Sequence, residues 1–430
     1  MPAESELFDL ASAYLVRQGW FRRVMDGAQD EEFELFDFQR IRDEIPGLAR
    51  MLIERSGQRF QLLVGWRPSL NFPDFARGEE STLLGALDVG DTRLIVYDAL
   101  ADDELCKVIL QVATDDRVHA KRVRPVASLT SHASLVFDER YFMKCYRVLE
   151  TSTRSEVEVM FRLDELGFTA MLKPIARWRD HDLDLGLVRA FLPSALEGRL
   201  LALTSLRDLL GHATGETSAF QATDSSDDLD RMASMAGGDL AGEATRLGET
   251  TAKMHIALAE AFGTRPLTEA DFSTVASHAG ITAILKQPGP VALGQAIRLH
   301  GDYHLRRVMR SESGWLVAGF GDDPLYSAEA TTPSQAARLG SPLEDLADMS
   351  FALGRVVADA LAQRASVDHA RATQLAAAWR RRNRRSFLRG YFRTEGLDPL
   401  IPRDQAHREV LLESLEEIRE RRYEATSSAV

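Results

Sequence analysis

Apolar positions along the chain alternate between two periods, and the changes of period mark out its elements. Near the start Leu7, Leu10 and Tyr14 recur at helical spacing, whereas residues 59–68 (RFQLLVGWRP) and 92–100 (TRLIVYDAL) are short runs of strand-forming residues. This mixture predicts a small α+β unit over the first hundred or so residues. After the polar run Asp115 to Arg122, the segment Ser128 to Trp178 reads as two strands ending in YFMKCYRV, a helix from about Ser155 to Leu166, and an apolar strand in MLKPIARW. A further strand in LDLGLVRAFLPSA (183–195) leaves the sheet at Pro193, so a linker is expected at 193–199. From Leu200 the spacing is mostly helical, over 200–210, over 241–262 with His255, and again up to about residue 423. A Ser/Asp/Gly-rich stretch at 213–240 interrupts it as a surface loop. Around 297–326 short turn-bounded strands return in RLHGDYHLRRVM and GWLVAGF. No internal repeat is found, and the tail EATSSAV is expected to fray. The pattern therefore divides the chain into 1–125, 126–195 and a mainly helical 196–430.

Composition narrows the class without changing this picture. With 430 residues, 45% hydrophobic and 27% charged, the chain is long enough for more than one substructure and neither disordered nor fibrous. Acidic residues outnumber basic ones 65 to 52, a net charge of −13 that opposes nucleic acid and anionic membranes as general partners. The run Arg380-Arg381-Arg382-Asn383-Arg384-Arg385 spreads around a helix axis and reads as a solvated face with at most a phosphate-attracting edge. The two cysteines, Cys106 and Cys145, show no CxxC or Cys/His spacing, so neither a disulfide framework nor a structural zinc site is indicated. Acidic residues stand where a signal peptide carries positive ones, and no run reaches the length of a membrane span. A cytoplasmic protein is expected.

Candidate chemistry centres on His300-Gly301-Asp302-Tyr303-His304, a loop between an apolar run and the strand-like Val308-Met309-Arg310. Phosphoryl transfer needs a carboxylate that positions an attacking hydroxyl and accepts its proton, beside residues holding magnesium, with a strand lysine on the nucleotide phosphates. Asp302 suits the first role. Lys144, flanked by apolar residues in YFMKCYRV, suits the last, and Glu158 in the following helix is placed to pair with it, with Glu156 competing for that place. His304 reads as a brace for the loop rather than a proton carrier. His255, on an apolar helix face, reads as a hydrogen-bonded core histidine. Trp379, Phe387 and Tyr391 recur at helical spacing as core, with Tyr391 also a candidate for lining a sugar site.

At these residues the chain resembles the bacterial maltokinases and actinobacterial glucosamine kinases. The resemblance runs over nearly the whole length: QGWF (18–21), VYDALADDEL (96–105), SLVFDERYFMKCYR, SEVEV, LGETTAKMHIAL (247–258), LHGDYH (299–304), SPLEDLADM (341–349) and WRRRNRRSFLRGY (379–391). It implies an α+β, two-lobed, protein-kinase-like (aminoglycoside-phosphotransferase-like) fold with an N-terminal cap. Residues 1–125 are then the cap, 126–195 the nucleotide-binding lobe and 196–430 the lobe with the catalytic loop. It implies ATP as cofactor, a small sugar or aminosugar as partner, Lys144 on the ATP phosphates, Glu158 orienting it, Asp302 as base, and a sugar site in the C-terminal helices with His304 and Tyr391 as candidate contacts.

Two positions depart from that family. Its loop continues HGDxHxxQ, whose amide helps to hold magnesium, but the corresponding residue here is Arg307. Its next strand ends in DFEGEP, whose aspartate binds magnesium, but this chain reads Gly319-Phe320-Gly321-Asp322-Asp323-Pro324. Magnesium demands oxygen ligands, and an arginine beside its site repels it, so altered metal coordination is expected. Asp322 or Asp323 are the candidate displaced ligands, and Arg306 and Arg307 are candidates for neutralising phosphate charge directly. Two functions follow as expectations: an ATP-dependent sugar kinase, or a pseudokinase acting as a nucleotide or sugar sensor or as a protein partner of carbohydrate-metabolic enzymes.

Overall fold

The structure, a computed structural model, describes residues 1–26, 31–71, 80–126, 132–150, 154–212, 231–234, 240–272, 279–285, 293–320, 339–363 and 369–427. The chain divides into two compact units, and each is described by itself. The first takes Met1–Glu158 and Lys173–Pro193; the second takes Val159–Leu172 and most of the chain from Ser194 onward. The sequence-expected break at 125/126 falls inside the first unit, within the strand Val123–Val126.

The first sheet of unit 1 is antiparallel, in the order β1 (Glu34–Arg42), β2 (Gly47–Arg55), β3 (Gln58–Pro68), β5 (Thr92–Asp98), β4 (Leu83–Val89), with β9 (Val148–Leu149) also on β3. Side chains alternate across a strand, and β2 and β3 are buried on both faces. Ala49, Met51, Ile53, Phe60, Leu62, Val64 and Trp66 pack on Leu7, Ala11, Tyr14 and Leu15 of α1 (Glu4–Arg17) and on Trp20 and Phe21 of α2 (Gly19–Val24). The opposite face carries Arg50 and Gln61. It meets the second sheet, whose order is β10 (Pro174–Asp180), β11 (Leu183–Ala190), β8 (Tyr141–Tyr146), β7 (His132–Phe137), β6 (Val123–Val126). Gln61 Nε2 donates to the carbonyls of Tyr146 and Leu185, both at 3.0 Å. Arg50, 2% exposed, donates from Nη2 to Asp37 at 2.7 Å and Asp180 at 2.5 Å. Arg147 Nη2 reaches Asp98 at 2.6 Å, an acid that also accepts from Tyr14. Gln61 Nε2, Arg50 Nη2 and Arg147 Nη2 are each paired, and by pairing they fix how the two layers meet. Helix α3 (Asp103–Ala113) starts at Asp102, whose side chain caps the Glu104 and Leu105 amides. Helix α4 (Ser155–Glu165) follows β9.

Unit 2 is mainly helical: α5 (Gly198–His212), α6 (Leu240–Phe262), α7 (Ala279–Leu285), α8 (Pro342–Ala362), α9 (His369–Phe392) and α10 (Gln405–Ser427). Helices α6 and α9 cross backbone to backbone. A Cβ added at Gly248 would lie 2.0 Å from the Phe387 carbonyl oxygen, and one at Gly390 would lie 2.0 Å from that of Thr245, so only glycine permits the approach. Two three-stranded antiparallel sheets complete the unit: β12 (Leu196–Glu197), β15 (Val308–Ser311), β16 (Gly314–Val317), and β13 (Arg265–Pro266), β14 (Gln295–Arg298), β17 (Leu339–Gly340). Most of the stretch 213–240 lies outside the described residues, and 231–234 are helical. Among the described residues no helix is long and apolar enough to cross a membrane.

Candidate active site

The loop joining β14 to β15 holds Asp302. Gly301 stands at φ +91°, the left-handed region that a side chain would strain, so the His-Gly-Asp order bends the chain where it must turn. His304 then caps a 3-10 turn, Leu305–Arg307, its Nδ1 accepting from the Arg306 amide at 3.2 Å. Below the loop lies Asp345, in the first turn of α8, a helix opened by Ser341 and Glu344 as a capping box. Asp345 is fully buried and accepts from the His300 amide at 2.8 Å and the Gly301 amide at 3.4 Å. It also faces His255 Nε2 of α6 at 3.1 Å, while His255 Nδ1 lies 2.8 Å from the Tyr391 hydroxyl of α9. With a carboxylate on Nε2, that nitrogen donates and Nδ1 accepts from Tyr391, a tautomer inferred from its partners. Burial pushes the Asp345 carboxyl up, but the hydrogen bonds it accepts from His255 and the His300 amide outweigh it and leave it below its ordinary value. Tyr303, equally buried, is 2.7 Å from Thr251 Oγ1, which itself donates to the Leu247 carbonyl at 2.8 Å. The loop is thus held from beneath by α6, α8 and α9.

Asp302 faces outward on this support, with a quarter of its side chain exposed. Arg307 donates to Asp302 Oδ2 from Nε at 3.0 Å and from Nη2 at 2.6 Å. His304 Nε2 is 3.4 Å from the other oxygen. Burial opposes ionisation of Asp302, but the His304 hydrogen bond and the Arg307 charge overcome it and hold the carboxyl well below the usual range. His300 packs between Tyr303 and Phe320, both ring centroids 5.0 Å away, and its Nδ1 accepts from the Asp302 amide at 3.3 Å. Burial lowers its pKa to about 4, so the ring is neutral at pH 7. One turn beyond Asp345, Asp348 is pushed up to about 7 by burial and by the nearby acids Asp345, Glu344 and Asp302, against Arg419, which holds it at 2.5 Å.

In unit 1, Lys144 occupies the central strand β8, opposite Ser134 of β7 and Leu187 of β11. Its Nζ contacts both oxygens of Glu156, at 2.8 and 2.7 Å, with both side chains largely buried. The expected partner Glu158 is therefore corrected to Glu156. Residues two apart on a helix face different ways, and Glu158 is exposed. Glu156 sits four and seven residues before the buried Met160 and Leu163, on the inward stripe, a signal present in the sequence but not used.

Tyr391 lies in the core, as its helical spacing predicts. It is completely buried with its hydroxyl on His255, which makes it part of the support beneath the loop rather than an open sugar contact. His304 combines the expected bracing with an approach to Asp302. Asp322 and Asp323 lie outside the described residues. Gly319 is buried beside Phe320 and offers no side-chain oxygen, and position 307 carries a hydrogen-bond donor. Asp345 and Asp348 went unread as individual residues; acids spaced one turn apart on the buried face of an apolar helix are the signal that marks them.

No protein-family model matches the chain. A curated glucosamine kinase from Streptacidiphilus jiangxiensis is 28% identical over 254 residues, covering 52% of this chain. The chain spans about half the length of that relative, since the match covers 51% of it. A solved structure of a glucosamine kinase in complex with glucosamine, ADP and inorganic phosphate matches with a TM-score of 0.56 and 19% identity, over 96% of this chain and 93% of that one. A further crystal form of a glucosamine kinase gives 0.56 and 19%, over 96% and 91%. The chain shares the fold of these glucosamine kinase structures. Its mixed sheets and helices are those that the resemblance implied.

Proposed function

We propose that the chain is an ATP-dependent, sugar kinase-like protein whose acceptor is a hydroxyl of a glucosamine- or maltose-type sugar. The observation that carries this reading is Asp302, an ionised, outward-facing carboxylate on a loop whose backbone is hydrogen-bonded to the buried Asp345. An ionised carboxylate accepts only, so Asp302 orients an attacking hydroxyl and takes its proton late, which suffices in a loose phosphoryl-transfer transition state. Neutral His300 keeps the loop rigid without adding charge. Lys144, oriented by Glu156, is the cation for nucleotide phosphates on its own sheet. The glucosamine kinase likeness supports the sugar class.

Magnesium, implied by the resemblance, does not fit the two expected positions: Arg307 presents a cation already engaged with Asp302, and Gly319 presents no donor. No step is derived through the metal. The same contact favours a second reading, a pseudokinase that binds nucleotide or sugar as a sensor or as a protein partner in carbohydrate metabolism. Coupled measurement of ADP release with glucosamine, maltose and related sugars separates them. Sugar-dependent turnover that vanishes in Asp302→Asn while ATP binding persists supports the kinase; ATP binding without turnover for any sugar supports the pseudokinase.

A further inference from the structure

The Arg307–Asp302 pair is built to open. Nε and Nη2 both donate to the same carboxylate oxygen, rather than one to each as in the two-oxygen fork that makes arginine–carboxylate contacts strong. Its side chains are 20% and 25% exposed, so the pair is largely buried yet open to solvent on one side, and opening it requires a new anion to replace the lost partner. The Arg307 backbone, by contrast, is pinned on both sides: its amide donates to the His304 carbonyl at 2.8 Å and its carbonyl accepts from the Ala318 amide at 2.7 Å. A change of partner by the guanidinium therefore needs only side-chain rotation, not movement of the loop.

Resting on the reading of Asp302 as the base, we propose that Arg307 is a phosphate-operated latch: without an anion it holds the Asp302 carboxylate, and a nucleotide phosphoryl oxygen draws it off, freeing the base and placing a fixed positive charge on the phosphate. A guanidinium is always charged and matches phosphate geometry. It supplies, without a metal, part of the charge neutralisation that phosphoryl transfer requires. Asp302 and the phosphate then compete for one cation, so the base is withheld until nucleotide arrives.

The competition gives a signature that a merely structural salt bridge lacks. ATP binding is measured by calorimetry on the full chain, in EDTA and in magnesium. Unmodified protein is expected to bind ATP in EDTA within about threefold of its affinity in magnesium, and Arg307→Gln to bind about tenfold more weakly or worse. Asp302→Ala, which removes the competitor, is expected to tighten ATP by roughly three- to tenfold, and that gain is expected to disappear when Arg307→Gln is added. If Arg307→Gln fails to fold by circular dichroism, Asp302→Ala alone and Arg307→Lys, which keeps the charge and loses the fork, carry the test. An Asp302→Ala protein that is folded yet binds ATP no more tightly overturns the latch, as does a gain of equal size in the Arg307→Gln background. ATP binding that appears only with magnesium and ignores Arg307 overturns the latch and leaves the kinase-like function standing. Absence of ATP binding in both conditions overturns that function and the latch with it.

Discussion

Replacing Asp345 tests the support beneath the loop most directly. Its buried carboxylate accepts from two backbone amides and from His255 Nε2. Asp345→Ala strands these three donors, each at a cost of about 1–3 kcal/mol, although relaxation keeps such losses below their sum; breaking a buried charged network typically costs about 3–5 kcal/mol. Asp345→Asn keeps one acceptor oxygen but turns an NH2 toward a donor, so about 1–3 kcal/mol is expected. Urea unfolding followed by near-ultraviolet circular dichroism reads both, and the loss should fall on the transition that reports unit 2. The pH dependence adds a second check. The folded-state pKa of Asp345 lies below the ordinary value, so its contribution is complete above about pH 4 and is lost as the pH falls further. The gap between Asp345→Asn and the unmodified protein should close in that acid range. An Asp345→Ala protein within about 1 kcal/mol of the unmodified one at pH 7 would show that the loop is held by something else.

Glu156→Ala is expected to weaken ATP binding by about tenfold by releasing Lys144, whereas Glu158→Ala leaves it unchanged; equal effects in a titration would refute the pairing. Asp348 and His300 make opposite demands on stability. Holding His300 near 4 makes stability fall as the pH drops from about 6.5 to 4, while raising Asp348 to about 7 makes it fall as the pH rises from about 4 to 7. Asp348→Asn removes the second demand, so its stability should climb with pH relative to the unmodified protein by up to about 1.4 kcal/mol per unit between pH 4 and 6.5; parallel melting curves would refute this. Joint Arg307→Gln and Gly319→Asp changes supply the oxygen ligands that the resemblance implies, and magnesium should then strengthen ATP binding in the pair but in neither single variant. Gly248→Ala should cost at least about 2–3 kcal/mol in thermal or chemical unfolding, because its methyl meets backbone that has no room to yield.

What could be read from sequence alone follows a physical divide. Lys144 and Asp302 were legible because their surroundings are local: an apolar strand on either side of one, and a Gly-Asp turn between apolar runs around the other. The strands β1 and β2 were not assigned, because Asp37 and Arg50 interrupt their apolar pattern; the two charges pair with each other, and Arg50 also reaches Asp180, 130 positions away. The choice between Glu156 and Glu158 depended on the rotation of a helix against a sheet, which burial of Met160 and Leu163 decides. Asp345, His255 and Tyr391 act together across 136 positions of chain, and no spacing rule within one segment links them.

The glycine crossing of α6 and α9 bears on how tolerance to change is distributed over the molecule. Thr251 and His255 ride on one of these helices and Tyr391 on the other, so the spacing set by Gly248 and Gly390 also sets where the loop's support stands. A survey of random substitutions scored by activity would rank both glycines with Asp302, although neither contacts the candidate base. Scoring the same library by the amount of folded protein would part them: the glycine variants would be depleted from cells, and Asp302 variants would accumulate normally. Intolerance at Gly248 and Gly390 is thus a demand of assembly, imposed on positions far from any reacting atom.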